Sequence, residues 1–290
     1  MRRTGIVFLS AFLFLVSCSQ SRQSDKKPSQ TDTDGKLFII GGGKKPDKML
    51  QNLAYISGVD SAGYVIILPM SSSVPDTSGY YMRKDFRKVN VTRTSVFNLQ
   101  NEDQMTESKL DSIRNAALIY ITGGNQNAFM EIASGTPLVQ AIRYAYKKGA
   151  TIAGTSAGAA VMSKQMITGD EFKHPEYTGN FRTIEANNME IDTGLGLIKN
   201  AIIDQHFIQR MRMNRLITVI LENPSKVGIG IDESTAILVD NNTADIYGIG
   251  QVVVLRNIEG ETRVKNGLLG AKNLSLSIYL PGESFKIKEK

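Results

Sequence analysis

The sequence predicts an α/β protein with an open, mostly parallel sheet, helices on both faces of that sheet, and C-terminal β-hairpins. Three observations predict this class. Short runs of apolar, β-branched residues recur along the chain, turn residues follow them, and amphipathic stretches separate them. Continuous rather than alternating hydrophobicity is typical of parallel strands that are covered on both faces. The alternation of strand and helix therefore favours an open sheet with right-handed crossovers.

The predicted strands of this sheet are Lys36–Ile40, Tyr64–Leu68, Ser95–Leu99, Ala117–Ile121 and Thr151–Ala153. In the stretches between them, apolar residues recur at helical spacing, which predicts amphipathic helices. Examples are Asp47–Ser57, Thr106–Asn115 and Pro137–Lys147, the last one closed by Gly149 as a helix stop.

The final third of the chain has a different pattern, in which short apolar runs are separated by turns such as Asp240–Asn242. The runs are Val227–Glu233, Ala236–Val239, Ala244–Tyr247 and Gln251–Arg256. This spacing indicates hairpin strands that either complete the main sheet or form a small annex.

Ligands of open α/β sheets bind beyond the carboxyl ends of the strands. Four groups of residues in this chain fall just after predicted strands: Gly41–Gly43, Gly123–Gln126, Ser156 and His206. The first group lacks the spacing of a phosphate-binding loop, and we interpret it as a tight turn that lets the backbone approach the site. We therefore expect the functional site at this edge of the sheet.

Ser156 lies between Gly154 and Gly158, where a short apolar strand meets a predicted helix. A serine in so tight a turn has unfavourable backbone angles and requires small neighbours, which is the G-x-S-x-G pattern of a nucleophile elbow. The pentapeptide alone is a weak signal, because packing can also require small residues at such a joint. Taken with its neighbours, it predicts Ser156 as the nucleophile of a serine hydrolase.

A serine hydroxyl needs a base, and imidazole is well matched to that task. His174 lies in a polar stretch that reads as a surface loop, whereas His206 follows the apolar strand Asn200–Ile203. Position therefore favours His206 as the base. The imidazole in turn needs an acceptor that fixes its tautomer.

Three carboxylates are candidates for that acceptor. Glu233 ends a predicted strand at the same edge, whereas Asp232 should point to the opposite side because side chains alternate along a strand. Asp204 shares a face with His206 if their strand persists, and it remains an alternative to Glu233.

Four blocks of the sequence, in this order, resemble those of the cyanophycinases, peptidase family S51: Gly123–Gln126, Gly154–Ala159, Asp204–Phe207 and Gly230–Glu233. The resemblance extends from Lys36 to about Gly250. These enzymes are relatives of aspartyl dipeptidases and have a class I glutamine amidotransferase-like fold. The resemblance implies a triad of Ser156, His206 and Glu233, and the order Ser, His, acid argues against an α/β-hydrolase esterase.

The resemblance further implies that six residues bind substrate: Gln126, Asp204, Gln205, Arg210, Arg212 and Arg215. The implied substrate is a poly-aspartate backbone whose side-chain carboxylates are amide-linked to arginine, and guanidinium groups suit its carboxylates. The implied products are β-aspartyl-arginine dipeptides, formed through an acyl-enzyme without metal or cofactor. Backbone N–H groups near Gly124 and Ala157 are expected to stabilise the oxyanion.

Helical geometry constrains the three arginines. At about 100° per residue, Arg212 and Arg215 share a helix face, whereas Arg210 points away from Arg212. If all three converge on substrate, the helix must begin after Arg210. The apolar residues that follow predict such a helix, packed through one stripe: Met213, Leu216, Ile217, Ile220 and Leu221.

The amino terminus is typical of a bacterial lipoprotein signal peptide, residues 1–17, in which Arg2 and Arg3 precede the apolar stretch Ile6–Val16. That stretch is too short for a membrane-spanning helix, which needs about 20 residues. The following Cys18 completes a lipobox and is predicted to be lipid-modified. We therefore expect an extracytoplasmic protein that is attached to a bacterial membrane through this lipid only.

Residues 18–35 are polar and predict a flexible tether, because they cannot bury enough apolar surface to offset the entropy of ordering. Residues 36–290 are then one large catalytic domain. The formal net charge is +6, and no basic stretch is dense enough to indicate nucleic-acid binding.

Two alternatives to a polymer-degrading peptidase stay open on the sequence. One is an aspartyl or isoaspartyl dipeptidase that acts on short peptides with the same triad. The other is a surface lipoprotein that captures peptides without catalysis. The resemblance is also compatible with a homodimer.

Overall fold

The structure, a computed structural model, describes residues 35–176 and 178–288. The helices are α1 (Asp47–Ser57), α2 (Pro75–Lys88), α3 (Glu107–Arg114), α4 (Gln126–Ala133), α5 (Pro137–Lys147), α6 (Ala157–Ala160) and α7 (Met213–Glu222), with a 3₁₀ turn at Glu102–Gln104. The strands are β1 (Lys36–Ile40), β2 (Val65–Leu68), β3 (Thr94–Val96), β4 (Leu118–Ile121), β5 (Thr151–Thr155), β6 (Gln165–Glu171), β7 (Met189–Thr193), β8 (Ala201–Gln205), β9 (Val227–Ile231), β10 (Thr235–Asp240), β11 (Thr243–Gly248), β12 (Val252–Asn257), β13 (Arg263–Lys265), β14 (Leu268–Gly270), β15 (Leu274–Tyr279) and β16 (Ser284–Lys286).

The main sheet has eight strands in the order β16-β11-β10-β1-β5-β4-β2-β3. Every pairing from β1 to β3 is parallel, whereas β10, β11 and β16 extend the sheet in antiparallel fashion. The register pairs Ile40 with Thr155, so the residues that follow β1 and β5 meet at the carboxyl edge of the sheet. This edge is where the sequence predicts the functional site.

Helices cover both faces of this sheet, and the α/β prediction is confirmed. Phe38 and Ile40 of β1 pack on one face with apolar residues of α1 and α2. Their neighbours Leu37 and Ile39 pack on the other face with α3, α4 and α5. Because both faces are buried, the parallel strands read as continuous apolar runs in the sequence.

A second sheet has four strands in the order β15-β12-β9-β8, with β8 and β9 parallel. One face is covered by α7, whose Leu216, Val219 and Ile220 pack there, and the other face joins the core beneath the main sheet. The turn 232–234 leads from β9 in this sheet to β10 in the main sheet. Residues that follow β8 and β9 are thereby brought to the carboxyl edge of β1.

The C-terminal hairpins take both of the predicted roles, since β10, β11 and β16 complete the main sheet while β12 and β15 belong to the second one. The sequence pattern did not predict α2, and the strand expected at Ser95–Leu99 is the shorter β3. The strand expected to end at Glu233 ends at Ile231. The predicted signal peptide, Cys18 and nearly all of the tether lie outside the described residues.

Candidate active site

Ser156 occupies a strained turn between β5 and α6, with φ 55° and ψ −112°. A Cβ at Gly154 would lie 2.2 Å from the carbonyl oxygen of Gly158, and a Cβ at Gly158 would lie 2.3 Å from that of Ile121. Only glycine fits at either position, because both distances are far below van der Waals contact. The small residues around Ser156 therefore serve the elbow that the sequence predicts.

Three polar side chains form a continuous hydrogen-bonded chain at this edge. The Nε2 atom of His206 lies 2.8 Å from Ser156 Oγ, and its Nδ1 atom lies 2.6 Å from Glu233 Oε1. A carboxylate can only accept, so Nδ1 carries the proton and Nε2 is free to accept one from the serine hydroxyl. This is the arrangement in which an imidazole can act as a general base toward an alcohol.

The glycine-rich turn after β1 supports all of these residues. Ser156 N donates to the carbonyl of Ile40 (3.0 Å), and His206 N donates to that of Gly41 (2.7 Å). Gly42 has φ 122°, and a Cβ there would lie 2.3 Å from Cε1 of the His206 ring. The interpretation of Gly41–Gly43 as a turn that lets backbone approach the site agrees with these contacts.

The two other carboxylates are engaged elsewhere. Asp232 Oδ1 accepts from the backbone N–H groups of Ile208 (3.1 Å) and Gln209 (2.9 Å). Asp204 Oδ2 accepts from Arg215 Nε at 2.9 Å, and its second oxygen accepts from the same guanidinium. Of the three candidates, Glu233 is therefore the one placed to orient His206, although it lies in a turn rather than at a strand end.

The environment of His206 favours the neutral imidazole. Its side chain is only 10% exposed, and burial lowers its pKa below the ordinary value. The hydrogen bond and the negative charge of Glu233 oppose this effect, whereas the positive charges of Arg210 and Arg212 add to it. Since the net shift is downward, the ring is available as a base near neutral pH.

The three arginines converge on one pocket beside Ser156, which we name the arginine pocket. Its volume is about 250 Å³, and it is lined by Gly124, Asn125, Gln126, Asn127, Ser156, Thr168, Gly169, Asp170, Gln205, Arg210, Arg212 and Arg215. The helix α7 begins at Met213, after Arg210, as this convergence requires. Five of the six residues implied to bind substrate line the pocket, and Asp204 lies behind it.

Internal bonds hold the walls of the arginine pocket. Arg215 and Asp204 are fully buried and paired, and Arg212 donates to the carbonyl of Gln205 (2.7 Å) and to its side chain. Gln126 Nε2 donates to the carbonyls of Ile167 (3.0 Å) and Thr168. Because these side chains are fixed before any ligand arrives, the pocket is preorganised for an anionic group.

Backbone N–H groups suited to an oxyanion occur on both sides of Ser156. Ala157 is the first residue of α6, and the N–H group of a first helical residue has no partner within its own helix. Gly124 has φ 141°, and a Cβ there would lie 1.9 Å from the carbonyl of Ser71, so only glycine lets this backbone pass. Ala157 directly follows the nucleophile, and Gly124 lines the arginine pocket together with Ser156.

A second pocket on the other side of Ser156 was missed by the sequence reasoning. It encloses about 460 Å³ and is lined by Gly42, Gly43, Lys45, Ser72, Val74, Thr77, Ser78, Tyr81, Met82, Asp85, Tyr120, Thr122, Gly123, Thr155, Ser156 and His206. Most of its outer wall comes from α2, which the sequence pattern did not predict. No motif signals the α2 part of this lining, because its residues lie on a largely polar helix.

The other histidine of the sequence, His174, is not part of the hydrogen-bonded chain Ser156–His206–Glu233. His174 lies half-exposed in a loop and pairs with Glu185 at 3.2 Å, as expected for a surface histidine. Within residues 35–176 and 178–288, no cluster of acidic, histidine or cysteine side chains could hold a metal ion. In the same ranges, no helix is long and apolar enough to cross a membrane.

Comparisons with known proteins agree with this architecture. The family model described as peptidase family S51 matches residues 37–247. A cyanophycinase of Nostoc sp. is 31% identical over 276 residues, which cover 91% of this chain and 89% of that protein. A cyanophycinase of Geminocystis herdmanii is 30% identical over 267 residues, covering 87% and 93% of the two chains.

A solved structure shares the fold. The crystal structure of a peptidase from an acI-B1 Actinobacterium superposes with a TM-score of 0.64, at 20% identity, over 89% of this chain and 98% of that one. At this level of identity the likeness concerns the fold alone.

Proposed function

Because the chain belongs to peptidase family S51 and is thus a peptidase, we propose that it is a serine-type enzyme that hydrolyses cyanophycin-type polymer to β-aspartyl-arginine dipeptides. The single observation that carries the proposal is the hydrogen-bonded chain Ser156–His206–Glu233, with its 2.8 Å and 2.6 Å contacts, beside the arginine pocket. The cyanophycinases that resemble this chain over nearly its whole length support the substrate class.

In the proposed acylation step, Ser156 Oγ attacks a backbone carbonyl carbon of the substrate while His206 Nε2 takes the hydroxyl proton. The negative charge moves to the carbonyl oxygen, where the N–H groups of Gly124 and Ala157 stabilise it. Glu233 stabilises the imidazolium that forms. The C–N bond then breaks, and His206 donates its proton to the leaving amine.

In the second step, His206 removes a proton from a water molecule that attacks the acyl-enzyme ester. The tetrahedral intermediate then collapses and its bond to Ser156 Oγ breaks. The new carboxylic acid is released, and His206 returns the proton to Ser156 Oγ. Atoms and protons balance with water as the only co-reactant.

The chemistry of the products fixes which bond must break. A β-aspartyl-arginine dipeptide keeps its side-chain amide, so the backbone amides on either side of that aspartate have to be hydrolysed. Attack at the β-carbonyl would instead release free arginine. In this proposal the arginine pocket binds the free carboxylate of the arginine in the acyl unit, because planar guanidinium groups recognise carboxylates in a bidentate fashion.

The test replaces Ser156 with Ala and follows the digestion of purified cyanophycin by mass spectrometry. The wild-type protein should release β-aspartyl-arginine, whereas Ser156→Ala should lose about 10⁶-fold in kcat, as other serine peptidases do without their nucleophile. Undiminished dipeptide release by the variant would refute the nucleophile assignment. Release of free arginine by the wild-type protein would refute the proposed bond.

A second candidate substrate class is short aspartyl or isoaspartyl peptides. The arginine pocket, at about 250 Å³, is smaller than most small-molecule pockets, which enclose about 300–1,000 Å³, and suits a short acyl unit. Hydrolysis of aspartyl dipeptides with no release from the polymer would favour this alternative. A covalent serine-directed probe that labels the wild-type protein but not Ser156→Ala would exclude a purely peptide-binding role.

We also propose that the protein works outside the cytoplasm, attached through a lipid on Cys18, because residues 1–18 have the pattern of a lipoprotein signal. Its substrate would then be polymer or peptide released by other cells. Metabolic labelling with a fatty acid should tag the wild-type protein, and Cys18→Ser should abolish the label. Equal labelling of both would refute the anchor.

A further inference from the structure

The second pocket beside Ser156, lined by Lys45, Tyr81 and Asp85 among others, has no role in the proposed acylation and hydrolysis steps. We name it the Lys45 pocket. It shares Ser156 with the arginine pocket, so the two cavities meet at the nucleophile. An extended substrate bound across Ser156 therefore places one side of its scissile bond in each pocket.

The position of His206 indicates which pocket holds the leaving group of the substrate and which holds the acyl part. The proton that His206 accepts from Ser156 must reach the leaving nitrogen, so the leaving group has to lie on the side where the imidazole is accessible. His206 lines the Lys45 pocket and is absent from the lining of the arginine pocket. The Lys45 pocket is therefore the leaving-group side, and the arginine pocket is the acyl side.

Lys45 is a cation that no hydrogen bond or ion pair holds within the described residues. It is partly buried, yet within the described ranges it forms neither a hydrogen bond nor a salt bridge. Burial lowers the pKa of Lys45, and the nearby Asp85 opposes that effect. Asp85 itself pairs with Lys88, three residues later in α2, at 2.7 Å. A partly buried ammonium without a hydrogen bond or ion pair is unfavourable, and an anionic ligand would offset that cost.

A second polar group in the same wall also lacks a partner. Thr122 is 3% exposed, and its hydroxyl has no hydrogen-bond partner among the described residues. Buried polar groups are nearly always hydrogen-bonded, so the wall that Thr122 and Lys45 both line holds a second polar group left without a partner by the described residues.

We propose that Lys45 is a specificity-determining residue of this peptidase. Its ammonium binds a carboxylate of the leaving group, which lies across the scissile bond from the arginine pocket. This inference rests on the proposed function, since it presumes that Ser156 is acylated. It adds that the enzyme selects both sides of the bond by their negative charge. A carboxylate is the fitting ligand, because the ammonium supplies donors and a full positive charge.

The test measures kcat/KM for matched substrate pairs that differ only in the leaving unit. One pair is a two-unit cyanophycin fragment with the carboxylates of its leaving unit either free or converted to carboxamides. A second pair is an aspartyl dipeptide as its free acid and as its carboxamide. Each substrate is tested with the wild-type protein, with Lys45→Met, and with Lys44→Met as the matched control, because Lys44 is an exposed neighbour outside the pocket lining.

The wild-type protein and Lys44→Met should prefer the free acid about tenfold or more, the effect expected of one charge-assisted hydrogen bond. Lys45→Met should lose this preference, because it should turn over the free acid more slowly than the wild-type protein does and the carboxamide at the same rate. Equal turnover of acid and amide by the wild-type protein, or a preference that survives in Lys45→Met, would overturn the assignment.

The two substrate pairs separate this proposal from the proposed function. Turnover of the aspartyl pair alone would refute the polymer substrate. The effect of Lys45→Met on the preference for the free acid could still be measured with that pair. Turnover without any acid preference would refute only the role of Lys45. Failure of the wild-type protein to cleave any of the four substrates would overturn both.

Discussion

The two pockets that meet at Ser156 handle charge in opposite ways. In the arginine pocket, the guanidinium of Arg215 is paired with a buried carboxylate, and Arg212 is bonded to Gln205. In the Lys45 pocket, the ammonium has no such partner among the described residues. The first pocket is held in shape by its own bonds, whereas the second is completed by a ligand. Separate residues therefore supply the rigidity and the selectivity of this site.

The largest expected effect concerns the relay that both pockets share. Glu233→Gln should lower kcat by about 10⁴-fold, because an amide no longer fixes the imidazole tautomer or stabilises the imidazolium. Steady-state kinetics on cyanophycin or an aspartyl peptide measures this loss, which should be the same for substrates that fill either pocket.

The control for Glu233→Gln is Asp232→Asn. The amide oxygen of asparagine can still accept the two backbone N–H groups that Asp232 binds, so this variant should keep most of its activity. A collapse in Asp232→Asn together with a mild effect in Glu233→Gln would show that the acid has been misassigned.

The next effect is on stability and distinguishes the pockets directly. Arg215→Met leaves the fully buried carboxylate of Asp204 without its partner and should lower the free energy of unfolding by about 3–5 kcal/mol. Lys45→Met breaks no internal bond and should cost little. Urea-induced unfolding of the two variants measures the difference.

Removal of both buried charges serves as the control for Arg215→Met. The double variant Asp204→Leu with Arg215→Met should recover much of the stability, because no uncompensated charge remains. If Arg215→Met is as stable as Lys45→Met, the arginine pocket is not held by this pair and the contrast between the pockets fails.

The sequence predicted the acyl side of the site better than the leaving-group side, for a physical reason. The elbow around Ser156 and the turn at Gly41–Gly43 need glycine, because a Cβ would clash with backbone or with the His206 ring. Such steric demands leave a visible pattern. Arg210, Arg212 and Arg215 were identified through their resemblance to a family, and the start of α7 at Met213 followed from helical geometry.

The Lys45 pocket left no such pattern in the sequence. Its outer wall is α2, whose inward face consists of Gly79, Met82 and Phe86 within a largely polar stretch, so its helical period is weak. Lys45 itself reads as an ordinary surface lysine. The placement of Glu233 beyond the end of β9 was missed for a related reason, because the chain leaves one sheet for another within the turn 232–234. Tertiary packing, rather than local pattern, decides these positions.

The smallest expected effect is a shift in the pH dependence of kcat/KM. His206 must be neutral to act as a base, so activity should rise with pH as the ring loses its proton, and its lowered pKa moves this rise to lower pH than for an ordinary histidine. The positive charge of Arg210 helps to lower that pKa. Arg210→Met should therefore raise the pKa and move the acid limb to higher pH, whereas Arg210→Lys keeps the charge and should leave the limb in place.

The pH dependence of kcat/KM also distinguishes the two pockets. Arg210 and Arg212 of the arginine pocket help to lower the pKa of His206, whereas the charge of Lys45 is not among the causes of that shift. Lys45→Met should change kcat/KM for acidic leaving groups without moving the acid limb. A limb that moves in Lys45→Met but stays fixed in Arg210→Met would mean that the leaving-group side, and not the acyl side, sets the basicity of His206. The structural contrast would then have to be reversed, with the paired arginine pocket acting as scaffold only.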